Sequence, residues 1–378
     1  MQSSFRDDLH LKKTFSSNKT FMNEQISRKE TAAMRGIAIL AIVLHNYSHW
    51  LGKMVQENEY QFHVHNVRRL MVELSHPSWE LIVHLLSFFG HYGVPVFVFL
   101  SAYGLVRKYE STADHYESSG TFFLSHYKKL FMMMIVGYVA FVLVDYMTPG
   151  PRRYEFWNVV GQLGMFSNLY SDPNHVIWPG PYWYFGLMVQ LYAVYRFILF
   201  PGGGSLLGKV SRRYHTPILL ALLLVTLFGQ LAFDPEGAAL EWYRYNLFGS
   251  LPVFIAGLLF ARHFEMKECT YTSYILLTGI AMILIIMLSM WFCTWIVVPF
   301  FICIATLGFV KCMPEMVLHR LSWVGSISAA MFVCHPITRK VIIPISRHGE
   351  VFAGLLLYIV ATIILAMIFR KLLASIKQ

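Results

Sequence analysis

Long apolar runs, separated by short polar and basic segments, recur along almost the whole chain. Several of them reach the length at which an α-helix crosses hydrocarbon about 30 Å thick. The pattern predicts an all-α, polytopic membrane protein with about ten transmembrane helices. The predicted spans are residues 32–50, 81–106, 127–147, 178–200, 216–233, 245–261, 272–290, 293–311, 320–338 and 351–370. Residues 272–312 are almost continuously apolar, and the aromatic region Trp291 to Trp295 is the predicted turn between two of these spans.

Composition supports a membrane protein over two soluble domains. Hydrophobic residues make up 56% of the 378 residues, charged residues only 14%, and the mean hydropathy is +0.51. Soluble domains usually carry about 25% charged residues. The net charge of +10 therefore describes loops that flank the membrane rather than a nucleic-acid-binding surface. The five cysteines form no CxxC pair, which indicates reduced thiols rather than a disulfide framework or a zinc site.

The distribution of basic residues predicts the orientation. With the N-terminus inside, more than two thirds of the 31 Lys and Arg residues fall in cytoplasmic segments. This bias predicts that both termini are cytoplasmic and that the first helix is an uncleaved signal anchor. We expect a cytoplasmic segment at 1–30, a transmembrane domain at 31–372 and a short cytoplasmic tail at 373–378. The predicted outer loops 51–80 and 148–177 are long, which is typical of functional loops.

The first predicted span carries unusual polar residues, with Arg35 near its start and His45 and His49 near its end. Ionisable groups inside a span are costly and are usually kept for function. The two histidines are four residues apart and share a helix face. Metal ligation, packing with hydrogen bonding, and catalysis are the three readings of this pair. Ligation is the weakest, because the HExxH glutamate and a nearby cysteine or carboxylate cluster are missing.

Four blocks along the chain together resemble the type-3 acyltransferase superfamily of integral-membrane O-acyltransferases. The first is an arginine–glycine pair followed by an apolar run and a histidine, and the last is a glycine–serine block that ends in histidine and proline. The blocks are Met34–His45, Gly90–Gly104, Pro181–Tyr192 and Leu321–Pro336, with a weaker match at Leu251–Gly257. Each block alone is weak, but their order and their span over most of residues 30–340 are specific.

The resemblance implies a fold of about ten spanning helices and the transfer of an acyl group, commonly acetyl, from acetyl-CoA. The acceptor would be a hydroxyl of an envelope polysaccharide or another glycan, and the location would be the bacterial inner membrane. His45 and Arg35 would be the essential histidine and arginine. In the family pattern these two are usually eleven residues apart, whereas here they are ten apart, which rotates His45 by about 80° and puts Asn46 in register. A π-bulge would restore the alignment, or His49 would be the base instead.

The chemistry of the residues fits this reading. A neutral histidine can accept the proton of an attacking alcohol, and a guanidinium at the inner end of the helix can bind CoA phosphates. The snorkelling anchor is the alternative role for Arg35. Softer candidates elsewhere include His91 between two glycines. The predicted catalytic residues are His45, Arg35, His49 and Asp145; the predicted CoA-binding residues are Arg35, Ser101 and Tyr103; and the predicted acceptor-binding residues are Trp183, Tyr184, Gln190 and His335. No metal is expected, and the partners are acyl-CoA, a glycan or lipid-linked sugar, and membrane lipids.

A proton-coupled transporter or flippase of a glycan or lipid-linked substrate is the competing hypothesis. Buried arginine and histidine would then relay protons. Such folds usually carry paired, Gly- or Pro-interrupted helices in their two halves, and the sequence shows no such correspondence. A purely structural scaffold is a third alternative, and it predicts that Arg35 and His45 tolerate apolar replacement.

Overall fold

A computed structural model of the chain describes residues 26–110, 117–265 and 269–376. Helices are the only regular secondary structure within these ranges, which confirms the predicted all-α class. Most of the predicted cytoplasmic N-terminal segment and the last two residues of the predicted tail lie outside the described residues. The helices that we number are α1 Arg28–Trp50, α2 Val64–Ser75, α3 Leu81–Phe89, α4 Gly93–Tyr109, α5 Ser119–Met147, α6 Phe156–Leu163, α7 Trp183–Val194, α8 His215–Phe228, α9 Ala238–Tyr245, α10 Leu247–His263, α11 Tyr271–Leu288, α12 Phe292–Trp295, α13 Val298–Lys311, α14 Glu315–Ser326, α15 Ser328–Ser346 and α16 Val351–Ile376.

Every predicted span contains a helix, but fewer than ten helices have the length and hydropathy of a membrane span. In the described ranges, five helical segments qualify, and two bent pairs raise the number to seven if each pair is one span. The five are Leu81–Tyr109, Ser119–Met147, Arg212–Ala232, Tyr271–Leu288 and Val351–Ile376; the pairs are α9 with α10 and α14 with α15. The stretch 272–312 is interrupted at the predicted position, between α11 and α13.

Helix α1 is not among those spans although it is 23 residues long. Its arginine and its polar C-terminal residues lower its hydropathy, and most of these polar side chains face neighbouring helices rather than lipid. The helix begins at Arg28, earlier than the predicted residue 32. Ser27 caps it, because its hydroxyl accepts a hydrogen bond from the Glu30 amide while the Glu30 carboxylate accepts one from the Ser27 amide. Glu30 also pairs with Lys311 of α13 at 2.9 Å.

The centre of the molecule is α1, which packs against α3, α4, α13, α14, α15 and α16. Its closest neighbour is α14, and two glycines set that distance. A Cβ on Gly325 would lie 1.7 Å from the Ala32 carbonyl oxygen, and one on Gly36 would lie 2.1 Å from the Leu321 carbonyl oxygen. Both clashes are with backbone, which cannot rotate away. The two helices therefore touch backbone to backbone at this crossing.

This crossing predicts the effect of a single methyl group. Gly325→Ala should force α14 away from α1 and destabilise the folded protein by about 3 kcal/mol. Gly104→Ala is the matched control, because a Cβ there meets no atom within 4 Å and alanine favours the helix. The measurement is the temperature at which half of the detergent-solubilised protein stays monodisperse. Equal values for the two variants would contradict the close crossing.

Candidate functional site

His45 lies inside the helix bundle, with 4% of its surface exposed and both ring nitrogens in polar contacts. Its Nδ1 is 2.9 Å from the carbonyl oxygen of Ser87, and its Nε2 is 2.9 Å from Oε2 of Glu57. A carbonyl oxygen only accepts hydrogen bonds, so Nδ1 carries a proton and donates it to Ser87. The carbonyl fixes the ring orientation and leaves Nε2 as the nitrogen that faces the Glu57 carboxylate.

Two glycines bring a second histidine onto the first. Gly90 and Gly93 flank a single 3-10 turn between α3 and α4. A Cβ on Gly90 would lie 2.7 Å from Cβ of His45, and one on Gly93 would lie 2.3 Å from the Ala38 carbonyl oxygen. The turn can therefore approach the backbone of α1, and it stacks His91 on His45 with the ring centroids 4.8 Å apart and the planes 10° apart. This contact explains the sequence block that begins at Gly90.

The segment between α1 and α2 supplies the carboxylates. Asn58 and Asn66 are buried and fold this segment back on itself: Asn66 Nδ2 donates to the Glu57 carbonyl oxygen and to Asn58 Oδ1, both at 3.0 Å. Glu57 is thereby placed between the two histidines, and its Oε2 is also 3.2 Å from His91 Nδ1. Glu59 Oε2 lies 3.3 Å from the same nitrogen but without hydrogen-bond geometry.

The environment separates the acidities of these two carboxylic acids. Burial by itself would raise the pKa of Glu57, but the imidazoles of His45 and His91 more than offset it and hold this pKa well below its usual value. Burial raises the pKa of Glu59 to about 7, and the nearby Glu57 charge adds to this rise. The pKa values of the two carboxylic acids thus lie well apart, and Glu59 titrates near neutral pH. Such divergent pairs are typical of sites that move protons.

The structure shows how α1 accommodates the ten-residue spacing between Arg35 and His45. The helix is regular α-helix from Arg28 to Trp50, so the π-bulge alternative is wrong. His45 faces Glu57 and His91, while Asn46 points to another side and accepts a hydrogen bond of 2.6 Å from Arg339 on α15. His49 lies 5.1 Å from His45 between ring centroids, and its buried Nδ1 has no hydrogen-bond partner in the described part of the chain. His45 and His49 thus share one site, and His45 is the one in contact with the carboxylate.

Metal ligation can be judged from the same distances. Two groups in this cluster have ligand atoms within 4.8 Å of one another: His45, His49 and Glu57, and Glu57, Glu59 and His91. Two ligand atoms on a tetrahedral zinc ion, each about 2.1 Å from it, lie about 3.4 Å apart. His45 Nε2 and Glu57 Oε2 are only 2.9 Å apart, which is a hydrogen-bond distance. This separation favours a direct contact between the two side chains over ligation of a common zinc ion.

Arg35 and its neighbours form a second polar group nearer the Arg28 end of α1. The guanidinium is partly buried and interacts electrostatically with the hydroxyls of Tyr184 and Tyr192 on α7. Ser101 lies beside the Tyr192 hydroxyl, so this predicted residue belongs to the same group. Tyr103 does not, because its hydroxyl contacts the backbone amide and carbonyl of Ile26 before α1.

The other predicted residues are distributed over the bundle. Asp145 is buried, forms an ion pair of 2.7 Å with Lys340 and accepts a hydrogen bond from Tyr154, whereas the carboxylate that contacts His45 is Glu57. Trp183 packs at right angles to Tyr60 and Tyr245, whose stacked rings lie beside His91. Gln190 donates to Asn168, away from the cluster. His335 is fully buried on α15, donates to the Phe332 carbonyl oxygen at 2.7 Å, and has an unpartnered Nε2 among the described residues.

Comparison with known protein families identifies the chain. A family model described as an acyltransferase domain matches residues 32–371, which is nearly the whole chain. The chain belongs to the type-3 acyltransferase family of membrane O-acyltransferases. No curated protein and no solved structure shows a significant match. Membership of the type-3 family, together with the apolar helices, indicates an integral membrane protein with acyltransferase activity.

Sequence reasoning missed the carboxylates of this type-3 acyltransferase site. Glu57 and Glu59 lie in the 51–80 loop that was predicted to be functional, but neither is among the predicted site residues. The available signal was a pair of acids two residues apart, shortly after a helix that ends in histidines. Arg339 had a similar signal, since it directly follows the predicted ninth span. Neither signal could be connected to His45 without knowledge of the fold.

The hydrogen-bonded cluster predicts independence from metals. EDTA treatment followed by gel filtration should leave acyl transfer by the purified type-3 acyltransferase unchanged, because the Glu57 carboxylate is in direct hydrogen-bond contact with two imidazoles. Metal content is checked in the same samples by mass spectrometry. Loss of activity with rescue by a single divalent metal, such as Zn²⁺, would contradict this prediction.

Proposed function

We propose that the protein transfers an acyl group, namely acetyl, from acetyl-CoA to a hydroxyl of an envelope polysaccharide or another glycan. The observation that carries this proposal is the buried contact of 2.9 Å between His45 and Glu57 in a chain that matches the family over residues 32–371. In its full form the proposal includes ten crossings of the bacterial inner membrane, with α1 and the shorter helices α7 and α13 among them, and both termini in the cytoplasm.

His45 is the base in this reaction. In the reactive form Nε2 of His45 carries no proton, and the acceptor hydroxyl takes the place of Glu57 Oε2 beside it. The hydroxyl oxygen attacks the thioester carbonyl carbon while its proton moves to this nitrogen. The C–S bond then breaks, and the CoA thiolate leaves and takes up the proton. Ser87 keeps the ring oriented through Nδ1, and the Glu57 carboxylate stabilises the imidazolium that forms. Electrostatic stabilisation of a developing charge by a fixed, buried group is an efficient form of catalysis.

The donor reaches this base from the Arg28 end of α1. Arg35 and His45 are about 15 Å apart along the helix, which suits a pantetheine arm that extends from a phosphate site toward a deeper histidine. Arg35 would bind a CoA phosphate, with Tyr184, Tyr192 and Ser101 beside it as hydrogen-bonding groups. Tyr103 contributes to this site by fixing the chain that enters α1.

Replacement of the base tests the proposal directly. We expect His45→Gln and Glu57→Gln each to lower the release of CoA thiol from acetyl-CoA in the presence of acceptor by about 10²- to 10⁴-fold, the usual contribution of general base catalysis. His319→Gln is the matched control, because His319 is exposed on α14. All variants are compared at equal amounts of monodisperse protein. A His45→Gln enzyme with unchanged turnover would remove this residue from the mechanism, and substrate uptake by proteoliposomes without acyl-CoA would favour a transporter.

The acidity of Glu59 predicts a pH dependence. With a pKa of about 7, Glu59 is neutral in mild acid and ionised in mild base. Its negative charge beside His91 favours the imidazolium on His45, so kcat/KM should rise as the pH increases from about 6 to about 8. Glu59→Gln is uncharged at every pH and should show a smaller rise, because the contribution of the Glu59 charge is missing. A rise of the same size in the variant would show that another group titrates.

A further inference from the structure

A cavity of about 260 Å³ opens at the Trp50 end of α1, outside the histidine cluster. Its walls combine two indole rings and three cationic side chains with apolar residues of α5, α15 and the segment after α5. The polar and aromatic lining residues are Trp50, Trp178, Arg339, Lys340 and Arg347. This volume is just below that of sites for drug-sized ligands, so it suits roughly one sugar unit.

The positive charge of this cavity is largely uncompensated by protein carboxylates. Lys340 pairs with Asp145, but in the described ranges neither Arg339 nor Arg347 forms an ion pair. Arg339 is only 7% exposed; it donates to the neutral Asn46 side chain and lies over the ring of Trp50, with its guanidinium carbon 4.6 Å from the ring centroid. Arg347 donates to the Trp50 carbonyl oxygen at 2.8 Å.

Burial of a guanidinium without a carboxylate partner is unfavourable in free energy, and it leaves N–H donors that a ligand could use. A guanidinium carries five N–H groups arranged for bidentate contacts with carboxylate or phosphate oxygens. Removing such a charge from water costs several kcal/mol unless a partner compensates it. Because the Arg339 side chain borders the cavity, an anionic ligand there would supply that partner. The flanking indoles of Trp50 and Trp178, with centroids 6.0 Å apart, offer flat apolar surfaces for a sugar ring.

The cavity adjoins the proposed base through two of its own residues. Arg339 holds Asn46, the residue that follows His45, and Trp50 follows His49, with its ring centroid 6.5 Å from that imidazole. A ligand in the cavity would therefore lie beside the histidine cluster and opposite the Arg35 end of α1. This is the side from which an acceptor would enter if CoA is bound at the other.

We propose that this cavity binds an acidic sugar unit of the acceptor, a sugar that bears a carboxylate or a phosphate, and presents its hydroxyl to the histidine cluster. This inference rests on the proposed function, because it names the class of acceptor for the same site. Arg339 and Arg347 contact the anionic group, and the sugar ring packs beside Trp50 and Trp178.

A binding titration without any acyl donor tests the acceptor class. Purified protein in detergent is titrated with methyl β-D-glucuronide, glucose 1-phosphate and the neutral methyl β-D-glucoside, and quenching of tryptophan fluorescence is followed. We expect at least one charged probe to bind about tenfold or more tightly than the neutral one at low salt, and this preference to shrink in about 0.5 M NaCl. The preferred probe identifies the anionic group as carboxylate or phosphate.

Variants assign the preference to the cavity. Arg339→Gln should abolish the tenfold discrimination, and the exposed Arg347→Gln, which leaves the buried network intact, should reduce it several-fold. Arg320→Gln on the exposed side of α14 is the matched control and should keep it. Equal affinity for charged and neutral probes, no saturable quenching by either charged probe, or full discrimination in both cavity variants would overturn the proposal. Failed acetyl transfer with intact discrimination would instead count against the proposed function alone.

Discussion

One carboxylate oxygen, Oε2 of Glu57, accepts contacts from two stacked imidazoles inside the bundle. An isolated ion at this position would be unstable, since burial penalises its charge. The imidazoles of His45 and His91 remove that penalty, and they are in turn held in place by the carboxylate. The three groups therefore depend on one another: the imidazoles stabilise the buried charge, and the carboxylate holds both rings in place.

This arrangement requires three parts of the chain to meet at distances that ordinary side chains would prevent. Gly90 and Gly93 let the turn before α4 touch the backbone of α1, and Gly36 and Gly325 do the same for α14 on another side. The asparagines at 58 and 66 then satisfy the backbone of the segment that carries Glu57. Glycines thus allow the close packing and asparagine side chains supply the hydrogen bonds, while the ionisable groups remain available for chemistry. Preorganisation of this kind is what a site needs when the chemical step must not wait for rearrangement.

The class of fold was predictable from the sequence because membrane spans are encoded locally. Apolar runs located a helix at all ten predicted positions, and the serine–glutamate pair at 27 and 30 contained the true start of α1 as a capping box. The number of membrane spans was harder to predict. α7 and α13 are short, and the polar residues of the candidate site lower the mean hydropathy of α1. Polar groups that a site needs lower the hydropathy of the helix that carries them. The hydropathy criterion for a membrane span therefore fails for α1, the helix that carries the candidate site.

The site was only half predictable, for a related reason. His45 and His49 are conspicuous because they lie in an apolar run. Glu57 and Glu59 lie beyond the end of α1, and Arg339 lies just past the end of the predicted ninth span although it is inside α15. Charged residues are common at such predicted span ends and carry no signal. The importance of Glu57, Glu59 and Arg339 comes from burial, which depends on how the 51–63 segment and α15 fold against α1. Arg339 shows this most clearly: in the sequence it is one basic residue among 31 Lys and Arg residues, and in the structure it is a nearly inaccessible cation that is shared between Asn46 and an indole ring. The two ends of α1 thus differ in what they can receive. Arg35 lies among tyrosines and a serine toward one end, Arg339 and Arg347 line a cavity at the other, and the His45–Glu57 pair lies between them. In the proposed reaction, two anionic substrates would approach from opposite ends, each would neutralise an arginine, and their reacting groups would meet at the imidazole.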